Sequence, residues 1–196
     1  MTIVAVIRHG PTAWNEARRI QGRADPSLSD AGRAAVSDWR PPAVVDDFAW
    51  ISSPLKRAHE TAALLHDGEV TNDPRLIEMD WGDWESRTLD DLRHDLGDAM
   101  VENEAQGLDF TPAGGESPRQ VQVRLQDWLA AVAASGQDTI AVTHKGVIRA
   151  LLSMATGWDM TTPPPVRLDW SSAHLFHIDD QGRPAIKLLN VGLDGP

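Results

Sequence analysis

The sequence predicts a three-layer α/β/α domain, in which helices cover both faces of a mostly parallel central sheet. The chain has 196 residues, which is enough for one domain with a sizeable core. Apolar β-type runs alternate with helical patterns along much of the chain, and this alternation is typical of α/β folds with parallel sheets. We find no internal repeat and no linker that would divide residues 1–196, so we expect a single domain.

The first half of the chain alternates between strand and helix patterns. Apolar runs predict strands near 2–7 and 48–52, and a helical pattern lies between them near 29–39. Ser53-Pro54 then indicates the start of another helix, because serine is a good N-cap and proline is tolerated in the first turn.

The second half begins less regularly. Residues 73–116 contain a short helix pattern after Thr88 and otherwise predict turns and loops. An amphipathic helix follows, and its apolar stripe consists of Val121, Leu125, Trp128, Leu129 and Val132. A strand, a helix and two late strands are expected in that order, near 138–143, 145–156, 173–178 and 184–189.

The charge of the chain limits its partners. A formal net charge of −11 repels nucleic acid and anionic membranes at long range, so we expect neither as a partner. No apolar run approaches the roughly eighteen residues that a membrane span needs. Phosphate esters are repelled as well, so a phosphate site requires a local concentration of positive charge.

The chain has no cysteine. Disulfides, thiolate metal sites and cysteine nucleophiles are therefore excluded. The N-terminus also shows no signal-peptide pattern, and together these features predict a cytoplasmic location.

Polar residues stand at the ends of three predicted strands. Arg8 and His9 follow the first strand, Arg57 lies shortly after the second, and His144 follows the strand near 138–143. Ligands bind beyond the carboxyl ends of the strands in open α/β sheets, so these side chains are expected to converge.

Their chemistry suits phosphoryl transfer. The neutral imidazole of His9 is a possible nucleophile, and the planar guanidinium groups of Arg8 and Arg57 match phosphate oxygens. His144 can hydrogen-bond a third oxygen. Taken singly, Arg57 is more often a solvated charge and His144 a structural histidine, so the hypothesis depends on their joint placement.

Seven segments then resemble the histidine phosphatase superfamily, in its phosphoglycerate mutase-like branch. They occur in the order typical of the family and lie within residues 3–149: Arg8–Asn15, with its Arg-His-Gly start, Gln21–Gly22, Leu28–Gly32, Ser52–Ala62, Leu76–Glu85, Gly114–Ser117 and Thr143–Arg149. The resemblance implies a phosphoglycerate mutase-like fold and assigns a role to each matching position.

The resemblance makes His9 the residue that is phosphorylated. It places Arg8, Arg57 and His144 around the phosphoryl group, with hydrogen bonds from Asn15 and Thr12. Gln21 and Gly22 are expected to be substrate-binding residues as well.

The resemblance makes Glu78 the proton donor to the leaving alcohol. A carboxyl group beside a phosphate dianion is favoured in its protonated form, as a general acid requires. Spacing alone does not separate Glu78 from Asp80, Asp83 and Glu85. Glu78 is preferred because it follows Leu76-Ile77 as the acid of the family does, and the other three carboxylates are expected in a solvated turn.

The chain departs from the family pattern at three positions. Pro11 stands where glutamate or glutamine is common, which removes a side-chain contact and a backbone N–H. Lys145 stands where glycine is frequent; it either adds positive charge to the pocket or points to solvent, and we expect solvent. Ser86 stands where a glycine commonly follows Glu85 and is expected at the start of the next helix.

Other residues allow two interpretations. Arg18, Arg19 and Arg23 either edge the pocket or are simply solvated. Trp81 and Trp84 either wall the site of the leaving group or pack in the core.

We expect no metal and no cofactor. His174 and His177 are three apart in a predicted strand, so they point to opposite faces and make a poor metal pair.

The sequence therefore favours a metal-independent, histidine acid phosphatase-type phosphomonoesterase acting on a small phosphorylated metabolite. The resemblance is greatest to alpha-ribazole phosphatases and broad-specificity phosphatases. One alternative is a cofactor-dependent phosphoglycerate mutase, which is disfavoured because mutases of this branch are usually longer. Another is a non-catalytic member that binds a phosphate ligand or a partner protein. A homodimer is possible, and the natural substrate is left open.

Overall fold

The computed structural model describes residues 1–193, and its centre is one six-stranded sheet. The strands are β1 (Thr2–Arg8), β2 (Ala49–Ser52), β3 (Thr71–Asn72), β4 (Thr139–Thr143), β5 (Ser172–Ile178) and β6 (Pro184–Gly192). Their order is β3-β2-β4-β1-β5-β6. The first four in this order pair in parallel, whereas β5 and β6 add to one edge in antiparallel fashion. The prediction of a mostly parallel sheet is confirmed.

Seven α-helices connect and cover these strands in the described part of the chain. They are α1 (Ala13–Glu16), α2 (Asp30–Ser37), α3 (Lys56–Leu65), α4 (Leu89–Leu96), α5 (Asp98–Glu104), α6 (Pro118–Ser135) and α7 (Lys145–Thr156). None of the helices within residues 1–193 combines the length and apolarity that crossing a bilayer requires.

The sheet separates two apolar clusters, because side chains alternate along each strand. On one face, Val4 and Val6 of β1 pack in the cluster that contains α6 and α7. On the other, Ala5 and Ile7 pack in the cluster that contains the buried side of α3. The expected three-layer arrangement of helix, sheet and helix follows from this alternation.

Helix α6 has the apolar stripe that the sequence predicts. All five residues of the stripe are buried, from Val121 to Val132. The helix begins with a capping box between Ser117 and Gln120, with Pro118 at its first position, and ends at Gly136 in the left-handed conformation. Local signals and tertiary burial agree here.

The prediction for the start of α3 is wrong. The helix begins at Lys56, and Leu55 is at the N-cap position without a side-chain cap. The hydroxyl of Ser53 instead contacts His144, which is 91 positions away in the sequence. The Ser53 hydroxyl oxygen also accepts the N–H of Leu55 at 3.3 Å, so Ser53 makes one local and one tertiary contact without capping α3.

The segment between β3 and α6 contains short helices and turns. Thr88 caps α4 through a capping box with Asp91, as the expected helix after Thr88 implied. Ser86 lies before this cap in the left-handed region, with φ of +68°. Our placement of Ser86 in the start of the helix is therefore wrong, and its backbone conformation is one that glycine adopts more easily.

Candidate active site

Strand register brings the two histidines together. Strands β1 and β4 run in parallel with Arg8 opposite Thr143, so His9 and His144 leave the sheet side by side. The backbone N–H of His9 donates to the carbonyl oxygen of Thr143 at 2.9 Å. The centroids of the two imidazole rings lie 5.2 Å apart.

A backbone contact fixes the tautomer of His9. Its Nδ1 lies 2.7 Å from the carbonyl oxygen of Gly10, which can only accept a hydrogen bond, so Nδ1 carries the proton and Nε2 keeps its lone pair. Burial lowers the pKa of His9 well below its usual value, and the nearby charges of Arg8 and Arg57 lower it further. His9 is therefore neutral at pH 7.

Arg57 is fully buried and is held by backbone oxygens. Its Nη1 and Nη2 atoms each donate at 2.7 Å, to the carbonyl oxygens of Ala24 and Gly22 respectively. The buried Nε atoms of Arg57 and Arg8 have no hydrogen-bond partner within residues 1–193. Burial lowers the pKa of both guanidinium groups, and the charge of Glu78 partly offsets this.

His144 is also fully buried beside His9. Its Nε2 lies 2.6 Å from the hydroxyl oxygen of Ser53, and its buried Nδ1 has no partner in the described part of the chain. If the Ser53 hydroxyl donates to Nε2, the ring carries its proton on Nδ1 and can donate it to a ligand. Burial lowers the pKa of His144 well below its usual value, and the charge of Arg57 adds to this.

Sequence reasoning missed the role of Ser53. Ser53 directly follows β2, which pairs with β4, and this position could have indicated a contact with His144 at the end of β4. The preference of serine for helix N-caps offered a simpler interpretation.

Glu78 faces the start of α7. Its Oε1 accepts the N–H of Met79 at 2.8 Å, and its Oε2 accepts the N–H of Gly146 at 3.2 Å. A Cβ atom on residue 146 would lie only 2.4 Å from Oε1, so glycine is needed for this approach. The glycine that the family often has directly after the second histidine is displaced here by one position.

Two of the neighbouring carboxylates are structural. Glu85 accepts the N–H groups of Arg23 and Ala24 at 2.6 and 2.9 Å. Asp80 accepts the N–H of Gly82 at 2.8 Å and lies 3.3 Å from a guanidinium nitrogen of Arg23. The expectation of a solvated turn is wrong for both residues, because each one fixes a loop at the site.

The site opens into a pocket with a volume of about 610 Å³. The sequence-predicted site residues on its wall are Arg8, His9, Asn15, Gln21, Gly22, Arg57 and Glu78. Thr12 and His144 lie behind that wall. Thr12 is fully buried as the N-cap of α1, and its hydroxyl oxygen lies 3.0 Å from Oε1 of Gln21. Thr12 therefore positions its neighbours rather than facing the pocket.

The outer wall of the pocket is aromatic and cationic. Trp81, Trp84 and Phe110 stack with ring centroids 5.1 to 6.1 Å apart. Both tryptophans also pack against buried apolar residues, so each one lines the pocket and belongs to the core.

Three cations that the sequence left open are now placed. Arg18 and Arg19 line the pocket, whereas Arg23 is not on its wall and pairs with Asp80 and Glu116. Lys145 is exposed as a residue, but it lies on the rim of the pocket rather than pointing away into solvent. Pro11 is exposed and is not part of the wall.

Among residues 1–193, no three His, Cys, Asp or Glu side chains are grouped as a metal site would require. The positive charge on the pocket wall comes from six arginine side chains and Lys145.

Comparisons with known proteins agree with this geometry. The model of the histidine phosphatase superfamily (branch 1) matches residues 4–192. A 2,3-bisphosphoglycerate-dependent phosphoglycerate mutase of Beijerinckia indica is 30% identical over 85% of this chain and 87% of its own. Three curated mycobacterial relatives are 29% identical, and the chain spans 54% of their length.

Solved structures of phosphatases are similar as well. The mycobacterial glucosyl-3-phosphoglycerate phosphatase Rv2419c, solved with VO3, has a TM-score of 0.81 and 25% identity over 97% of this chain and 100% of its own. The alpha-ribazole phosphatase of Shigella flexneri has a TM-score of 0.80 and 26% identity over 100% of this chain and 99% of its own. With a family match that covers nearly all of the chain, and with structural neighbours that are phosphatases, the protein belongs to the histidine phosphatase superfamily (branch 1).

Proposed function

We propose that the protein is a phosphomonoesterase that hydrolyses a small phosphorylated metabolite through a phosphohistidine on His9. The observation that carries this proposal is a set of three buried nitrogens near His9 that have no hydrogen-bond partner within residues 1–193, namely Nε of Arg8, Nε of Arg57 and Nδ1 of His144. Buried polar groups are almost always hydrogen-bonded in folded proteins. A phosphoryl group at Nε2 of His9 supplies the oxygens that these groups need.

The first step transfers the phosphoryl group. The lone pair on Nε2 of His9 attacks phosphorus, the bond from phosphorus to the ester oxygen breaks, and that oxygen keeps the electron pair. Glu78 gives it a proton, so a neutral alcohol leaves. Arg8 and Arg57 stabilise the charge on the equatorial oxygens throughout.

The second step returns the enzyme to its starting state. The Glu78 carboxylate takes a proton from water, and the water oxygen attacks phosphorus. The bond from phosphorus to nitrogen breaks, so inorganic phosphate leaves and His9 is neutral again. Glu78 is suited to both steps because two backbone N–H groups fix its carboxylate at the edge of the phosphate site.

The main alternative is a phosphoglycerate mutase, in which the phosphohistidine returns its phosphoryl group to a phosphoglycerate. The mutase of Beijerinckia indica supports this alternative, and 87% of its length is covered. Chain length therefore does not separate the two activities, contrary to our argument from the sequence. The phosphatases among the structural neighbours favour hydrolysis.

The test is to trap the intermediate. The purified protein is mixed with a radiolabelled aryl phosphate in the presence of EDTA and quenched in alkali, where phosphohistidine survives. We expect base-stable, acid-labile label on the protein together with release of inorganic phosphate. His9→Ala should lose both, whereas His59→Ala, which changes an exposed histidine on α3, should keep both. Undiminished hydrolysis by His9→Ala would overturn the mechanism.

A second assay separates hydrolysis from mutase activity. The protein is given 3-phosphoglycerate with 2,3-bisphosphoglycerate, and formation of 2-phosphoglycerate is compared with release of inorganic phosphate. If 2-phosphoglycerate forms faster than inorganic phosphate is released, the protein is a mutase and the proposal of a phosphatase is wrong.

A further inference from the structure

The pocket contains more positive charge than one phosphoryl group needs. Its wall carries seven cationic side chains and two carboxylates, in a chain whose net charge is −11. One of the carboxylates, Glu104, is already paired with Arg93 at 2.8 Å. Glu78 is then the one other carboxylate on this wall, although Asp25 and Glu85 also act on Arg57 from outside it. A phosphoryl dianion at His9 neutralises only part of the remaining positive charge.

Two of these cations belong to α7 rather than to the phosphate site. Lys145 and Arg149 are four residues apart, so they lie on the same side of the helix. Neither has an ion-pair partner among residues 1–193.

Both side chains lie against tryptophan rings that are not themselves on the pocket wall. The ammonium nitrogen of Lys145 lies 5.3 Å from the ring centroid of Trp170, and the guanidinium carbon of Arg149 lies 4.8 Å from that of Trp158. Arg8 shares the Trp170 ring, at 5.8 Å. These contacts fix the cations without neutralising them, because an aromatic ring carries no net charge.

Lys145 is close to Arg8, with which it shares the Trp170 ring, and one helical turn from Arg149. Burial lowers the pKa of the Lys145 ammonium group, the charges of Arg8 and Arg149 lower it further, and Glu78 opposes this. Burial alone accounts for the lowered pKa of Arg149. Arg8, Lys145 and Arg149 are therefore neighbouring cations on the wall of one pocket.

We propose that Lys145 and Arg149 form a second anion subsite, and that the substrate is a phosphate monoester whose alcohol half carries another anionic group, either a carboxylate or a second phosphate. The subsite deepens the proposed phosphatase activity and rests on it. Arg149 is partly buried without an ion-pair partner within residues 1–193, which is costly, and an anionic group on the substrate relieves that cost when it binds. Lys145 is more exposed and adds its charge at the rim of the pocket. Trp81, Trp84 and Phe110 provide an aromatic wall for the body of the same alcohol.

Matched aryl phosphates test this subsite. 4-(Carboxymethyl)phenyl phosphate is compared with its neutral amide, 4-(carbamoylmethyl)phenyl phosphate, because the methylene group insulates the leaving phenol from the difference in charge. A third probe carries a phosphonomethyl group in the same place and distinguishes a phosphate-like anion from a carboxylate. We expect at least one anionic probe to exceed the amide in kcat/KM by roughly tenfold or more.

Variants assign the preference to residues. Lys145→Gln and Arg149→Gln should each lower the ratio of kcat/KM between the preferred anionic probe and the amide by roughly tenfold. Lys187→Gln is the matched control, because it removes the same charge from β6 outside the pocket and should leave the ratio unchanged.

The outcomes separate this proposal from the proposed function. Absence of phosphate release from all three probes would count against the phosphatase itself. Equal turnover of the anionic and neutral probes by the wild-type protein would overturn the subsite and leave the phosphatase in place. A preference that survives both glutamine substitutions would also overturn it, and it would show that the cations only stack on their tryptophans.

Discussion

At the floor of the pocket, His9 follows directly on a regular strand and Arg57 lies in the first turn of a helix, while His144 follows another strand just behind them; each is at most 5% exposed. The outer wall comes instead from the short helices and turns between residues 81 and 110, where the rings of Trp81 and Phe110 are partly exposed. The floor presents groups that suit any phosphoryl group, whereas the wall presents groups that touch only the alcohol. We infer that the regular elements determine the reaction and that the irregular segment determines the substrate.

The largest expected effect tests the floor. Glu78→Gln should lower kcat for 4-nitrophenyl phosphate by about 10³-fold, because general acid–base catalysis contributes on this scale. The first step with this good leaving group needs little acid, so phosphohistidine should accumulate in the variant. Rapid-quench measurement of protein-bound phosphate checks this. Equal loss of inorganic phosphate binding would mean that Glu78 acts on the pocket as a whole.

A smaller effect is expected where the floor meets α7. Gly146→Ala places a methyl group 2.4 Å from Oε1 of Glu78 in the present geometry, so the carboxylate must move. We expect kcat to fall by about 10²-fold, since a displacement of about 1 Å can have this effect.

Thermal unfolding controls for damage to the fold in this variant. Alanine favours a helix over glycine by about 1 kcal/mol, so a structural loss is not expected. Activity equal to the wild type would show that the approach of Gly146 to Glu78 has no catalytic consequence.

The outer wall should change selectivity rather than chemistry. Trp81→Ala should lower kcat/KM for phenyl phosphate relative to methyl phosphate by about tenfold, because it removes one face of the aromatic wall. Trp39→Ala, a partly buried tryptophan outside the pocket, is the control. An equal loss of kcat/KM for both substrates would contradict the proposal that the wall affects only the choice of substrate.

The smallest effect concerns stability. Burial lowers the pKa of His9 and His144 in the folded protein, so below pH of about 6.5 the unfolded chain binds more protons than the folded one. The contribution of the two neutral histidines to the free energy of unfolding is therefore complete above that pH. It falls as the pH decreases from 6.5 towards 5, by at most about 1.4 kcal/mol per pH unit for each histidine.

Urea unfolding at several pH values measures this dependence. His144→Asn should reduce the slope by about 1 kcal/mol per pH unit, whereas His94→Gln, an exposed histidine on α4, is the comparison variant. An unchanged slope in His144→Asn would contradict a neutral buried ring.

The floor was predictable from the sequence because apolar periodicity is local and because the carboxyl ends of parallel strands meet at one edge of a sheet. Once apolar runs are assigned to neighbouring parallel strands, the residues that follow them meet at one edge. The family segments then distinguished His9 from His144, which strand ends alone did not.

The positioning contacts were not predictable, because each joins distant parts of the chain. Serine is a residue type that favours helix caps, yet Ser53 contacts His144. Glu85 is of a type that is usually solvated, yet its carboxylate accepts the N–H of Arg23 and holds that loop. Lys145 was expected in solvent because nothing near it in the sequence reveals Trp170. Propensity describes a residue and its neighbours, and it contains no information on such pairs.

The contacts of Glu85 have a consequence for attempts to change the substrate by exchanging segments between relatives. The Glu85 carboxylate accepts the N–H of Ala24, and the carbonyl oxygens of the same loop accept hydrogen bonds from Arg57. The loop also needs glycine at position 22, because a Cβ atom there would lie only 1.9 Å from the Glu85 carboxylate. If the outer wall is transplanted from a relative that lacks a carboxylate at position 85, the loop is no longer held and Arg57 loses its backbone hydrogen-bond acceptors. The exchangeable module therefore includes the 21–24 loop together with the wall, and a graft that moves only the wall should lose phosphate affinity along with its old selectivity.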